Sequence, residues 1–157
     1  MQTVRRLVTP RIDPSATGSP HGRFLAMPLV DLSDRAERER LSGAALRGFF
    51  RLTAAWEVRD EDARELLGGV SSGSFYEWKK VPPKMLDMDR LTRISCLVGI
   101  YKALHIVYGD KLADQWVSLP NTNALFAGRT PLQAMLAGGI PVMQTVRRLL
   151  DARRGGC

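Results

Sequence analysis

The sequence predicts an all-α protein in which an extended or disordered arm precedes two small helical domains. Apolar residues recur at spacings of three and four along several segments, and residues that start or stop helices flank these segments. No segment alternates polar and apolar residues convincingly with the period of two that a strand requires. The chain has 157 residues, 45% hydrophobic and 25% charged, which is enough to form a core in one or two small domains.

The arm is predicted over residues 1–32, where prolines and glycines leave little periodic pattern. This segment is either an unpacked leader or a basic arm that touches DNA or a partner. The heptapeptide MQTVRRL occurs in the arm, at 1–7, and again at 143–149. Two copies so far apart do not make a repeat array, so the duplication predicts no solenoid.

The first helical domain is predicted over residues 33–109, and its first helix runs from Asp34 to about Glu57. The apolar stripe of this helix has the spacing of one helical face. The stripe consists of Leu41, Ala44, Ala45, Phe49, Leu52 and Trp56. We expect Asp60 to cap a second helix that continues to Leu67, where two glycines end it.

Two more helices are predicted in the same domain. The third runs from Ser74 to Lys80, because two prolines follow it at 82–83. The fourth begins after Asp87 or Asp89 and runs to Tyr108, before a glycine. It is apolar on most sides, so we expect it to be buried within the domain, against a second copy of the chain, or both.

The second and third helices have the pattern of a helix-turn-helix. A small residue at 63 suits a close helix crossing, glycines at 68–69 allow the turn, and a serine starts the next helix. The third helix is then the candidate recognition helix, although it lacks arginine, the commonest reader of guanine. The candidate DNA-binding residues are Ser72, Ser74, Tyr76, Lys79, Lys80 and Lys84.

The second domain is predicted over residues 110–157. A helix over 111–117 leads to a turn at Pro120-Asn121. Thr130-Pro131 starts a further helix, because threonine caps well and proline fits the first helical position. Gly138-Gly139 stops that helix and Pro141 starts another, so two short helices meet across a glycine hinge.

Several classes of function are excluded by the composition. Two cysteines and two histidines give no metal-ligand spacing, no disulfide framework and no catalytic set, so we expect neither an enzyme nor a cofactor. The net charge of +7 is spread along the chain and gives only weak support for DNA binding. No signal peptide or membrane span is visible, which predicts a cytoplasmic protein.

The C-terminal pattern from Trp116 to Gly138 resembles the toxin-binding domain of the MbcA/ParS/Xre antitoxin family. The residues that carry this resemblance are Trp116, Pro120, Asn121, Leu125, Phe126, Gly128, Arg129, Thr130, Pro131, Leu132, Leu136 and Gly138. The resemblance covers residues from about 42 to 156 and implies that the helix-turn-helix is Xre-like. It also implies toxin contacts at Trp116, Asn121, Leu125, Phe126, Arg129, Arg147 and Arg148.

The same resemblance implies a cognate RES-domain toxin, an NAD-using enzyme similar to ADP-ribosyltransferases. In this interpretation the antitoxin occludes the active site of the toxin and regulates its own operon through operator DNA, as a homodimer or higher oligomer. The candidate inhibitory tail is Arg153, Arg154, Gly155 and Gly156, as a slender glycine-ended strand; the alternative is a frayed helix end. The helix-turn-helix could serve dimerisation instead of DNA binding. A free-standing DNA-binding regulator without a toxin is the main alternative function, and a structural adaptor is a third.

Overall fold

The computed structural model describes residues 30–155, which contain six α-helices, one 3₁₀ turn and no strand. The all-α prediction is confirmed. Most of the predicted arm lies outside the described residues, as do the first MQTVRRL copy and residues 156–157. The elements are α1 (Arg35–Ala55), α2 (Asp60–Leu66), α3 (Ser72–Lys80), α4 (Met88–Tyr108), α5 (Asp110–Trp116), the 3₁₀ turn (Ala124–Phe126) and α6 (Pro131–Arg154).

Side-chain caps fix where several helices begin. Asp34 accepts a hydrogen bond from the Ala36 amide at the start of α1, and Asp87 accepts one from the Arg90 amide at the start of α4. The predicted cap of α2 is wrong, because Arg59 occupies the N-cap position and makes no side-chain capping bond. Asp60 lies in the first turn of α2, and its carboxylate binds side chains of α3.

Helix α4 is the centre of the fold. It packs against α1, α5 and α6, and its buried face includes Ile94, Leu97, Ile100 and Leu104. Most of the apolar surface that suggested self-association is therefore covered within the chain, although Ile106 remains 61% exposed. The buried residues form one cluster that continues past the predicted domain boundary at 109/110, and that boundary stays a prediction.

Helix α6 consists of two helical halves joined at a kink, as the glycine hinge predicted. A reciprocal pair of bonds starts it: Thr130 Oγ1 accepts from the Gln133 amide, and Gln133 Oε1 accepts from the Thr130 amide. Gly139 has φ 64° and ψ −147°, a conformation that favours glycine. None of the described helices is long and apolar enough to cross a membrane.

Candidate functional site

The segment between α5 and α6 is built around Trp116. Its ring stacks on Tyr108 at 6.5 Å between centroids and meets the edge of Phe126 at 5.8 Å. Trp116 is only 7% exposed and Phe126 only 1%. These two predicted contact residues therefore belong to the core, and their side chains support the surface above them instead of forming it.

The loop that follows Trp116 presents the other predicted contacts of this segment. Asn121 Oδ1 accepts from the Asn123 amide at 2.9 Å, and Asn123 Oδ1 accepts from the Leu125 amide at 3.0 Å. These two turns leave the side chains of Leu125 and Arg129 exposed beside a shallow depression of about 400 Å³. The loop thus offers an apolar and a basic side chain on a hydrogen-bonded backbone.

Arg147 and Arg148 lie on the second half of α6, and they differ in their contacts. Arg147 donates from Nη1 to the Ser95 carbonyl of α4 at 3.5 Å and lies directly over Gly99. Arg148 is exposed and donates only to the Gln144 carbonyl of its own helix. Gly99 and Tyr108 are roughly 14 Å apart along α4, so Arg147 is not beside the loop that follows Trp116.

The predicted strand-like tail is wrong for its first two residues. Arg153 and Arg154 form the last turn of α6, because the helix continues until the Gly155 amide donates to the Asp151 carbonyl at 3.1 Å. Arg153 also donates to the Tyr108 hydroxyl, and Arg154 is 4.0 Å from Asp151. Of the tail glycines, Gly155 follows the helix, whereas Gly156 lies outside the described residues.

The candidate DNA-binding surface on α3 is partly occupied by Asp60. The Tyr76 hydroxyl and Lys79 Nζ both donate to its carboxylate, each at 2.9 Å, and these bonds lower the pKa of Asp60. Lys79 also lies 4.8 Å from the centre of the buried Phe75 ring, a cation–π contact. Two of the predicted DNA contacts are therefore tied to α2.

The other members of the predicted DNA set face solvent more freely. Ser72, Lys80 and Lys84 are exposed, whereas Ser74 is half-buried and its amide donates to the Ser71 hydroxyl, which caps α3. The sequence could not distinguish these residues from Tyr76 and Lys79. A helical face shows which side chains leave the core, but it does not reveal a carboxylate contributed by another helix.

His105 is a residue whose contacts the sequence did not predict. It lies in the last turn of α4, with Nδ1 2.9 Å from Asp110 and Nε2 3.0 Å from Asp114, both on α5. Burial disfavours the charged ring, but the hydrogen bonds to the two carboxylates outweigh it and raise the pKa of His105. The described residues contain no group of three or more His, Cys, Asp or Glu side chains that could hold a metal ion.

The C-terminal part of the chain is similar to a known protein domain. Residues 103–156 match the model of the antitoxin Xre/MbcA/ParS C-terminal toxin-binding domain. Over 114 residues, 72% of this chain and 86% of the relative, the sequence is 37% identical to the uncharacterized protein y4oB of Sinorhizobium fredii (strain NBRC 101917 / NGR234). No solved structure matches the chain. The chain therefore belongs to the Xre/MbcA/ParS antitoxin family: it is the antitoxin of a toxin–antitoxin pair, and its partner is a toxin.

Proposed function

We propose that the partner is a RES-domain toxin that uses NAD, and that this antitoxin neutralises it by covering its active site. The observation that carries the proposal is the basic end of α6 in the toxin-binding domain. Between Val142 and Gly155 there are four arginines and a single acidic residue, Asp151. An arginine fork binds a carboxylate with two parallel hydrogen bonds, which suits an acidic group in the active site of an NAD-using enzyme.

In this proposal the side chains of the domain have different roles. Leu125 and Arg129 on the loop supply docking contacts, and Arg148 reaches the partner from α6. Trp116 and Phe126 hold the loop from below, and Asn121 shapes it. The antitoxin itself performs no catalysis, needs no cofactor and acts with its toxin in the cytoplasm.

The test takes the product of the neighbouring gene as the candidate toxin and measures its NAD turnover while the purified antitoxin is titrated in. We expect inhibition that saturates at a fixed molar ratio and a stable complex on a sizing column. Arg148→Glu should weaken inhibition, whereas Lys84→Glu, a matched charge reversal at a lysine predicted to contact DNA, should leave it unchanged. A complex in which NAD turnover continues at full rate contradicts occlusion, and the absence of any complex contradicts the choice of partner.

The proposal includes autoregulation through the helix-turn-helix formed by α2 and α3. Ser72, Lys80 and Lys84 are exposed on and after α3, where they can contact bases or phosphates. Lys80→Ala with Lys84→Ala should weaken binding to the upstream fragment of the operon and reduce the salt slope by about two units. Binding that is unchanged in this double variant contradicts the assignment. DNA binding without any toxin complex favours the free-standing regulator.

The proposal also includes a homodimer or higher oligomer, which the apolar sequence of residues 91–108 suggested. Helix α4 supplies little free apolar surface for such contact, since α1, α5 and α6 cover it. Light scattering of the 17.4 kDa chain without toxin measures this directly. Twice the chain mass at micromolar concentration supports the dimer, and a monomer contradicts it.

A further inference from the structure

Both ring nitrogens of His105 face carboxylate oxygens. Nδ1 lies 2.9 Å from Asp110 Oδ1, and Nε2 lies 3.0 Å from Asp114 Oδ1. An ionised carboxylate only accepts hydrogen bonds, and a neutral imidazole carries a single N–H. A neutral ring would therefore make one of these bonds and turn a lone pair toward the other carboxylate. Only the imidazolium ion donates to both.

The position of His105 also favours the charged ring. It lies in the last turn of α4, where the helix dipole stabilises a cation. The ring of Tyr101 covers it at 4.2 Å between centroids, and the histidine side chain is 20% exposed. A pKa raised above the ordinary value of 6.5 agrees with this geometry, since the bonds to Asp110 and Asp114 outweigh the burial that opposes charge.

The charged groups farther from the ring come from three helices and from the residues just after α1. Lys102 is exposed on α4, and Arg153 of α6 donates to Tyr108, three residues after His105. Lys111 of α5 and Glu57, just after α1, line a cavity of about 390 Å³ together with Asp114. The two carboxylates of α5 remain the charged groups that touch the imidazole.

Helix α5 depends on tertiary contacts such as these to hold its position. It has seven residues, its N-cap is Gly109 at φ 74°, and no side chain caps it. A helix this short is unstable in isolation, so its position depends on tertiary contacts. Ala113 and Trp116 of α5 are buried. His105, near the end of α4, is hydrogen-bonded to Asp110 in the first turn of α5 and to Asp114 in the middle of α5.

We infer that His105 is held as an imidazolium ion that clamps α5 onto α4, and that it is a positioning residue for the surface α5 carries. That surface includes the exposed Leu112, the exposed Leu119 just after the helix, and the cavity beside Asp114. The role of the surface in binding a toxin rests on the proposed function, whereas the clamp does not. Asp114 contributes more than Asp110, because the side chain of Asp110 is 96% exposed and screened by water.

The direction of the pH effect follows from the raised pKa. A histidine whose pKa is higher in the folded than in the unfolded chain stabilises the fold fully below the unfolded value, about 6.5. This stabilisation is lost as the pH rises through the higher folded value. The contacts that hold α5 against α4 should therefore be strongest at mildly acidic pH and should weaken as the pH increases.

The first test is an NMR titration of the ring protons in the full chain. His21→Gln removes the only other histidine and assigns the signal. We expect the His105 midpoint above 6.5 and a lower midpoint in Asp110→Asn. The largest decrease should occur in Asp114→Asn, because the Asp114 side chain is 33% exposed and less screened by water than that of Asp110. A wild-type midpoint at or below 6.5, or a midpoint that neither variant changes, overturns the clamp.

The second test is amide exchange of α5, corrected for the intrinsic effect of pH and referred to α3 in the same sample. Protection in α5 should fall as the pH passes the His105 midpoint, by up to about tenfold for each unit of pKa difference. His105→Gln should remove this step. If the variant does not fold, the pH profile of the wild type alone decides. Protection of α5 that does not change as His105 titrates overturns the inference.

The third measurement is toxin affinity on both sides of the His105 midpoint. We expect weaker binding above it in the wild type and the same affinity at both pH values in His105→Gln. Equal wild-type affinity on both sides overturns the positioning role. A histidine that titrates as described in a chain that binds no toxin at any pH refutes the proposed function and leaves the clamp intact.

Discussion

The hydroxyl of Ser42 satisfies a buried amide from a distant part of the chain. Ser42 lies on α1 with no exposed surface, and its Oγ accepts from the Leu86 amide at 2.8 Å. This bond ties the segment before α4 to α1. A buried amide without a partner costs the full desolvation penalty of the group, which is larger than the net gain from an ordinary hydrogen bond.

Ser42→Ala should therefore lower the free energy of unfolding by about 1–3 kcal/mol. Thr53→Val is the matched control, because the buried Thr53 hydroxyl donates only to the Phe49 and Phe50 carbonyls of its own helix. Its removal leaves no amide unpaired and should cost less than about 1 kcal/mol. Urea unfolding of both variants measures the difference; an equal effect contradicts the special role of Ser42.

Asp60 makes the packing of α3 on α2 sensitive to acid. Hydrogen bonds from Lys79 and Tyr76 hold the pKa of its carboxyl below the usual value of 3.8. A carboxylate with a lowered folded pKa stabilises the fold above its unfolded value, and this contribution is lost as the pH falls through the folded value. Asp60→Asn should lower the Tm at neutral pH, and the difference from the wild type should disappear on acidification.

The same substitution has a readout at Tyr76. The bond to Asp60 raises the pKa of the Tyr76 hydroxyl above 10.0, so Asp60→Asn should lower it toward that value. Absorbance of tyrosinate during an alkaline titration measures the change, and Tyr76→Phe identifies which of the three tyrosines is responsible. An unchanged Tyr76 titration contradicts the contact between α2 and α3.

At the scale of elements, the kink of α6 depends on one glycine. Gly139 has φ 64° and ψ −147°, and no atom lies within 4 Å of where a Cβ would be. Gly139→Ala therefore tests backbone strain without a steric clash, and it should destabilise the fold by about 1–3 kcal/mol. Gly73→Ala is the control, since Gly73 lies in α3 with equally open space and should gain up to about 1 kcal/mol.

Thermal unfolding of the two alanine variants gives effects of opposite sign if the kink is required. A straight α6 would shift its second half away from α4, where Met143 and Val146 are buried. A Gly139→Ala variant as stable as the wild type contradicts the need for the kink.

The helices themselves were predictable because their signals are local. A cap such as Thr130, the proline and glycine around α6, and the apolar spacing of α4 each act within a few residues of the chain. The contacts of the site were not predictable for the opposite reason. His105 meets carboxylates five and nine residues away on another helix, and Trp116 is buried by residues that only the folded chain brings together.

At the scale of the whole molecule, α4 joins the first helix of the described chain to its last two helices. It contacts α1, α5 and α6. Arg153 extends this connection, because it binds Tyr108 at the end of α4 from the last turn of α6. The C-terminus of α6 is therefore anchored through Arg153.

Two truncations of the full chain separate the anchored part from the rest. A chain that ends at Arg154 keeps the bond between Arg153 and Tyr108, whereas a chain that ends at Ala152 loses it and two positive charges. We expect both truncated chains to form a complex with the toxin, because Leu125, Arg129 and Arg148 remain. The shorter chain should inhibit less well, because it lacks both arginines of the last turn of α6. Each charge-assisted hydrogen bond that such an arginine makes to an acidic group of the toxin is worth about 1.5–3 kcal/mol, or roughly 10- to 150-fold in affinity.

For the RES-domain toxin of the proposed function, the deciding measurement is NAD turnover with each truncated chain at saturation. If the last residues of α6 block the active site, turnover returns with the chain that ends at Ala152 although the complex still forms. If only residues beyond Arg154 enter the active site, turnover already returns with the longer truncation. Full inhibition by both chains would instead assign occlusion to the docking surface alone, because the surface that remains in both would then cover the active site without the tail.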